Sequence, residues 1–251
     1  MYLTIQGVVL RVTDYGDRDA LLTVLTNKYG KLTIKARGLR RKNSPLTAVC
    51  QALVYGEFTL FEYRGQYSIN EAHVICLFDK LRCNLENLSL AAYFSQIAET
   101  LSQEDYPTPE LQVLLLNCLY ALSELDLPPD LVKAVFELRS ACLSGYTPSL
   151  FGCHVCGSQS PERFDLSAGQ LECNSCRSSD SSGIRMPVNP SVLEAMRYIS
   201  LCDPKKIFSF RLDPENLNQL SSITESYLST QLERSFSALE YYKTLIFHDY
   251  G

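Results

Sequence analysis

Four cysteines carry the sharpest chemical signal in the chain. Cys153 and Cys156 are separated by two residues, as are Cys173 and Cys176, with sixteen residues between the pairs. Two intervening residues let both thiolates of a tight turn face one ion, and two such turns complete a tetrahedron. This is the spacing of a four-cysteine zinc site. Gly157, directly after the first pair, suits a backbone that turns back under the metal. Every ligand position is filled by protein, so the expected cofactor is one structural Zn²⁺ with no open position for catalysis. Free or disulfide-linked thiols and a catalytic dithiol are the competing readings, and the paired spacing disfavours both. His154 could stand in for a cysteine, but its place inside the first turn argues against it.

A basic run is the second signal. Lys28, Lys31, Lys35, Arg37, Arg40, Arg41 and Lys42 fall in a window, Ala20–Gly56, that contains no Asp or Glu. Lys31, Lys35 and Arg37 alternate with Leu32, Ile34 and Ala36, which places the charges on one face of a strand. Gly38–Ser44 then reads as a mobile basic loop. Such a stripe neutralises phosphates and releases counterions, so these seven residues are the candidate DNA-binding set. Tyr29, Phe58, Phe61, Tyr63 and Tyr67 lie close enough in sequence to stack on bases, although strand alternation sends some of them into the core. The plainer reading of the run is a solvated edge strand that resists aggregation.

Motifs for bond-making chemistry are missing. The chain has no Walker A loop, no G-x-G-x-x-G, no H-E-x-x-H and no G-x-S-x-G. Asp14, Asp17 and Asp19 cluster at a turn signal, which turn formation explains as well as cation binding does. The expectation is a binding protein and not an enzyme.

The 251 residues are 46% hydrophobic and 20% charged, enough to bury a sizeable core and too apolar for wholesale disorder. The net charge of −5 argues by itself against nucleic acid. Its distribution does not, because residues 1–80 carry a net +4 and the remainder −9. Six of the ten cysteines (Cys50, Cys76, Cys83, Cys118, Cys142 and Cys202) stand singly in apolar patterns and read as reduced core residues. Met1–Leu10 lacks the pattern of a signal peptide, and the most apolar stretch, Leu111–Leu122, is too short to span a bilayer. The expected setting is cytoplasmic, with no membrane partner.

The elements that must position these groups follow from pattern. Leu3–Val12, Ala20–Thr26, Leu32–Ala36, Ala52–Tyr63 and Gln66–Ile75 are rich in β-branched and aromatic residues and are separated by turn signals. Five short strands predict a small barrel, of OB type or, by strand count alone, of SH3 type. Near residue 80 the apolar spacing becomes helical, with Leu85, Leu88, Ala91, Ala92, Ile97 and Leu101 on the first helix. Thr108-Pro109, Pro128-Pro129, Asn189-Pro190 and Asp213-Pro214 read as helix starts, and Ser237-x-x-Glu240 as a capping box. Phe151–Ser182 has few large apolar residues and needs a metal to fold; within it Ser178–Gly183 is a short polar loop. Helices on both sides of this segment are expected to pack together. The fold class is therefore α+β and multidomain: a five-stranded OB-like β-barrel, then an α-helical domain with an inserted four-Cys zinc module. The boundaries are 1–80 for the barrel, 81–148 and 187–251 for the two parts of the helical domain, and 149–186 for the insertion.

Several stretches together resemble a known family. They are Gly7-Val8-Val9-Leu10, Asp14-Tyr15-Gly16-Asp17-Arg18-Asp19, Ala36-Arg37-Gly38 with Arg40-Arg41-Lys42, Phe136-Glu137-Leu138-Arg139, Ser144-Gly145-Tyr146-Thr147-Pro148 and Cys153-His154-Val155-Cys156-Gly157. In order and content they are similar to the bacterial RecO recombination mediators, over roughly residues 1–245. The resemblance implies DNA repair and recombination: binding of single- and double-stranded DNA, annealing of complementary strands and association with RecR. It further implies binding of the acidic C-terminal tail of single-strand DNA-binding protein, indirect action on RecA loading, and a place at the nucleoid. Lys133 and Arg139 are candidate cations for that tail. The alternative is a zinc-containing interaction scaffold without intrinsic DNA affinity.

Overall fold

The computed structural model describes residues 1–176 and 183–248, so residues 178–182 of the polar loop lie outside the described residues. Two compact units form: Met1–Asp126 together with the segment from Phe236 onward, and Leu127–Ser235. The four-part division by composition draws its boundaries differently, with 81–148 and 187–251 each drawing on both units, and stays a proposal.

In the first unit, five strands close a barrel: β1 (Tyr2–Tyr15), β2 (Asp19–Thr26), β3 (Gly30–Ala36), β4 (Tyr55–Tyr63) and β5 (Gln66–Cys76). Their order is β1-β2-β3-β5-β4, and β4 pairs back onto β1. Neighbours are antiparallel except β3 and β5, which run parallel where Ile34 faces Tyr67 and Lys35 faces Ser68. This order is the five-stranded Greek-key barrel of the OB-fold, and it settles the choice that strand count left open. Alternation fills the interior with Val9, Leu22, Val24, Leu32, Ile34, Ala36, Phe58 and Leu60.

A bulge between Val9 and Arg11 bends β1. There the Val9 N–H donates to the Val54 carbonyl at 2.9 Å, and the Leu53 N–H donates to the Val9 carbonyl at 2.8 Å. The segment after β3 thus folds back into the barrel and buries Val49, Cys50 and Val54. Leu53 holds a left-handed φ of 71°, which is why β4 begins at Tyr55 and not at Ala52.

Helices α1 (Leu85–Leu101) and α2 (Pro109–Glu124) belong to this unit, as does α6 (Ser237–His248). Asn84 caps α1 by accepting from the Asn87 N–H. The buried face of α1 is Leu90, Ala91, Tyr93, Phe94, Ile97 and Ala98, whereas Leu85 is exposed. The aromatic pair turns the helix away from the face expected from its leucines, because Tyr93 packs edge-on against Phe236, 5.4 Å between ring centroids.

The second unit holds α3 (Pro129–Leu143), α4 (Pro190–Leu201) and α5 (Pro214–Leu232), which pack against one another. Helices from both sides of the cysteine segment therefore meet. Asn189 and Asp213 cap α4 and α5 as their sequence positions indicate. Between α3 and α4 lie β6 (Ser149–Cys153), β7 (Arg163–Asp165), β8 (Gln170–Glu172) and β9 (Arg185–Pro187), in the order β6-β8-β7-β9. Phe164 of β7 meets Tyr227 of α5 at 5.2 Å between ring centroids, so the small sheet borrows apolar contact from the helices. Among the described residues no helix is long and apolar enough to cross a membrane.

Candidate nucleic-acid interface and four-cysteine cluster

Strand β3 buries Leu32, Ile34 and Ala36 and turns Lys31, Thr33 and Lys35 outward. The seven cations of the run nonetheless differ in what holds them. Lys28 is exposed in the β2–β3 turn, at the other end of β3 from Arg37. Lys31 is half-buried, and its ammonium donates to the Glu99 carbonyl on α1 at 2.8 Å. Lys35 pairs with Asp19 at 3.1 Å and lies 4.6 Å from the centroid of the Tyr15 ring. Arg40 pairs with Asp14 at 3.0 Å. Arg37, Arg41 and Lys42 are exposed.

Arg37 through Lys42 are gathered at one end of the barrel by the β1–β2 turn. The Gly38 N–H donates to the Asp19 carboxylate at 2.8 Å, and the Arg40 N–H donates to the Arg18 carbonyl at 3.0 Å. The Gly38 N–H and the Lys35 ammonium hold the Asp19 carboxyl below its usual range. The aspartates at this turn thus organise the cationic loop and also neutralise part of it.

Beside this end, β3 and β5 meet in a cleft of about 460 Å³, lined by Tyr15, Thr33, Lys35, Gln66 and Tyr67 and, from the α1–α2 linker, Glu104 and Asp105. The other aromatics divide as alternation requires. Phe58 is core, while Phe61 and Tyr63 are exposed.

The four thiols converge. Cys153 ends β6, Cys156 sits in the turn after it, Cys173 follows β8 and Cys176 closes one short turn. Their sulfur atoms all lie within 4.8 Å of one another, and Cys156 Sγ is 3.6 Å from Cys173 Sγ. Four thiolates about 2.3 Å from one zinc ion stand about 3.8 Å apart, so the spacing suits a tetrahedral metal. The turn is the expected one: Gly157 holds a φ of 73° and donates its N–H to the Cys153 carbonyl at 2.8 Å. The Cys173 N–H points at Cys153 Sγ at 3.4 Å. The N–H groups of Cys156, Cys173 and Val155 pull the Cys153 thiol down to about 6. Sulfur contacts with Cys156 and Cys173 push Cys176 up to about 12. Unequal sharing of protons among four crowded thiols accounts for the opposite directions, and a bound cation would release those protons. The cluster can hold a metal ion. His154 does not compete for it, because its Nδ1 donates to the Leu171 carbonyl at 3.1 Å and its Nε2 faces Glu172.

Comparison with known proteins assigns both parts of the chain. A family model described as Recombination protein O N terminal matches residues 1–78, and one described as Recombination protein O C terminal matches residues 82–240. The chain belongs to the RecO family. It is similar to the DNA repair protein RecO of Acetivibrio thermocellus, 32% identical over 250 residues and covering 97% of each chain. It also resembles that of Alkaliphilus metalliredigens, 30% identical over 248 residues, with 98% of this chain and 100% of the relative covered. That of Exiguobacterium sibiricum is 32% identical over 224 residues, 89% of each chain.

Within this RecO fold, two cations singled out from the sequence are already engaged. Lys133 is buried on α3, 2.9 Å from Glu225 and 3.2 Å from Glu137, and also donates to Ser221. Burial opposes its charge, but the two carboxylates outweigh that and hold its pKa above the usual lysine value. Arg139 donates to the carbonyls of Ile199 and Ser200 at the end of α4. Three residues at the barrel escaped the basic run: Arg18, hidden among aspartates, and Tyr15 and Gln66, which flank turns. Only the Asp-Tyr-Gly-Asp turn signal could have pointed to the first two.

Proposed function

We propose that this chain is a non-enzymatic DNA-binding recombination mediator in DNA repair. It binds single- and double-stranded DNA through the cationic end of its barrel and anneals complementary strands. With RecR it helps load RecA on strands coated by single-strand DNA-binding protein, in the cytoplasm at the nucleoid. The observation that carries the reading is a closed OB barrel with Arg37, Arg40, Arg41 and Lys42 on one loop beside an aromatic cleft. OB barrels bind oligonucleotides on the face of strands 2 and 3 and on the loops that flank it. Lys28, at the opposite end of β3, and Lys31, held by α1, are weaker members of the proposed set. Zinc is the proposed metal at Cys153, Cys156, Cys173 and Cys176, since four thiolates at this spacing suit a soft, tetrahedral, closed site.

On this reading the partner's acidic tail lies in a groove of about 870 Å³ in the second unit, lined by Phe151, Tyr198, Leu201 and Phe210, by Arg197 and Arg211, and also by the carboxylates of Glu194 and Asp213. Its apolar walls and Arg211 suit a short peptide that is both hydrophobic and anionic, while Arg197 is already engaged by Glu194 and the Leu150 carbonyl. The pairing of Lys35 and Arg40 with aspartates favours the second reading, a zinc-containing scaffold without DNA affinity of its own. Strand annealing, followed with complementary fluorescent oligonucleotides with and without single-strand DNA-binding protein, separates the two. Acceleration of annealing supports the mediator, and a rate equal to the protein-free control rejects it.

A further inference from the structure

The linker between α1 and α2 does more than join two helices. The Lys31 N–H donates to the Gln103 carbonyl at 3.0 Å, and Gly30 forms an antiparallel bridge with Glu104. Residues 103–106 therefore lie along β3 as a short extra edge. Gly30 makes the approach possible: a Cβ there would stand 2.2 Å from the Gln103 carbonyl oxygen and 2.3 Å from that of Tyr106. Thr33 on the outer face of β3 donates its hydroxyl to Glu104 Oε1 at 3.2 Å. Asp105 takes a left-handed φ of 58° and lines the same cleft as Tyr15, Lys35 and Tyr67. The Tyr67 hydroxyl senses this, its pKa raised by burial first and then by Asp105 and other acidic neighbours including Glu104. Two carboxylates from this linker thus line the cleft together with Lys35, Tyr15 and Tyr67.

We propose that Glu104 and Asp105 are specificity-determining residues for DNA. They restrict the barrel cleft to an unstacked base of a single strand and repel the phosphates of a second strand. The inference rests on the mediator reading above. A single strand can enter from the cationic end and turn a base toward Tyr15 and Tyr67 while its phosphates stay near Lys35. Duplex DNA keeps its bases stacked inside and presents two phosphate chains; Lys35 can serve one of them, and the second meets the two carboxylates.

The test is the double variant Glu104→Gln, Asp105→Asn in the full chain. Both replacements keep shape and one acceptor oxygen, enough for the bond from Thr33, and asparagine tolerates a left-handed φ better than most residues, so folding should survive. A second variant, Asp105→Gly, removes one of the two charges with no strain at the left-handed φ. Fluorescence anisotropy is read with a labelled oligo-dT and with a labelled duplex of equal length at two salt concentrations. The expected result is a rise in duplex affinity of about three- to tenfold at low salt, from two removed like charges, and a smaller rise for oligo-dT. Equal affinities in wild type and both variants, with the wild type binding DNA, overturn this inference alone. A wild type that binds neither probe overturns it together with the mediator reading.

Discussion

Neutralising the β3–β4 loop is the perturbation whose outcome the structure fixes most closely. In the variant Arg37→Gln, Arg40→Gln, Arg41→Gln, Lys42→Gln, four cations leave one end of the barrel. Arg40 is already paired with Asp14 at 3.0 Å, so it releases few counterions on binding DNA. Three residues therefore set the expectation. Each phosphate contact contributes about 0.7 to the log–log salt slope for a single strand and about 0.9 for duplex, so the slope should fall by about 2.1 and 2.7 respectively. Over a fourfold salt increase, the wild type should then lose about 20-fold more affinity for a single strand than the variant, and about 40-fold more for duplex. Anisotropy titrations across that salt range measure both slopes, with the circular dichroism spectrum as the check on folding. A folded variant whose slope matches the wild type would remove this loop from the DNA path. A fall nearer 2.8 for single strands would mean that Asp14 does not restrain Arg40 in solution.

Elemental analysis of the purified chain should find about one zinc per molecule, lost in Cys153→Ser, Cys156→Ser along with a lower melting temperature; metal-free protein that melts as before would refute the site. Replacing Lys133 by Met leaves the buried Glu137 and the partly exposed Glu225 without their shared cation, and urea unfolding should show a loss of about 3 kcal/mol, the lower end of the range for a broken buried pair. A loss under about 1 kcal/mol would mean that the carboxylates find other partners or take up protons at little cost. Asp19 titrates below its ordinary value because it is better satisfied when folded. Its contribution to stability is present above about pH 4 and is lost as pH falls through the lowered pKa. Stability of Asp19→Asn should therefore depend less on acid than that of the wild type, and identical pH profiles would contradict the assignment.

Much of the fold was legible in short-range pattern. Leu32, Ile34 and Ala36 face inward because a strand has a period of two, whatever surrounds it. Asn189 and Asp213 cap their helices through bonds to N–H groups three residues on. The two cysteine pairs needed only tight turns to aim their sulfurs, and sixteen residues suffice to bring one turn to the other. The buried face of α1 was less legible, since Phe236, 143 residues beyond Tyr93, decides which side turns inward.

Charge shows the division most plainly. By itself the sequence determined that a cationic stripe exists and that its strand must show those charges to the outside, because side-chain alternation is a local property. Only the tertiary structure decided which charges stay available. Lys31 is taken by a carbonyl on α1 sixty-eight residues away, Arg40 by Asp14 across the barrel end, and Lys133 by carboxylates on two helices. Coulombic and hydrogen-bonding partners are chosen by distance in space, and chain closure sets that distance without regard to separation along the sequence.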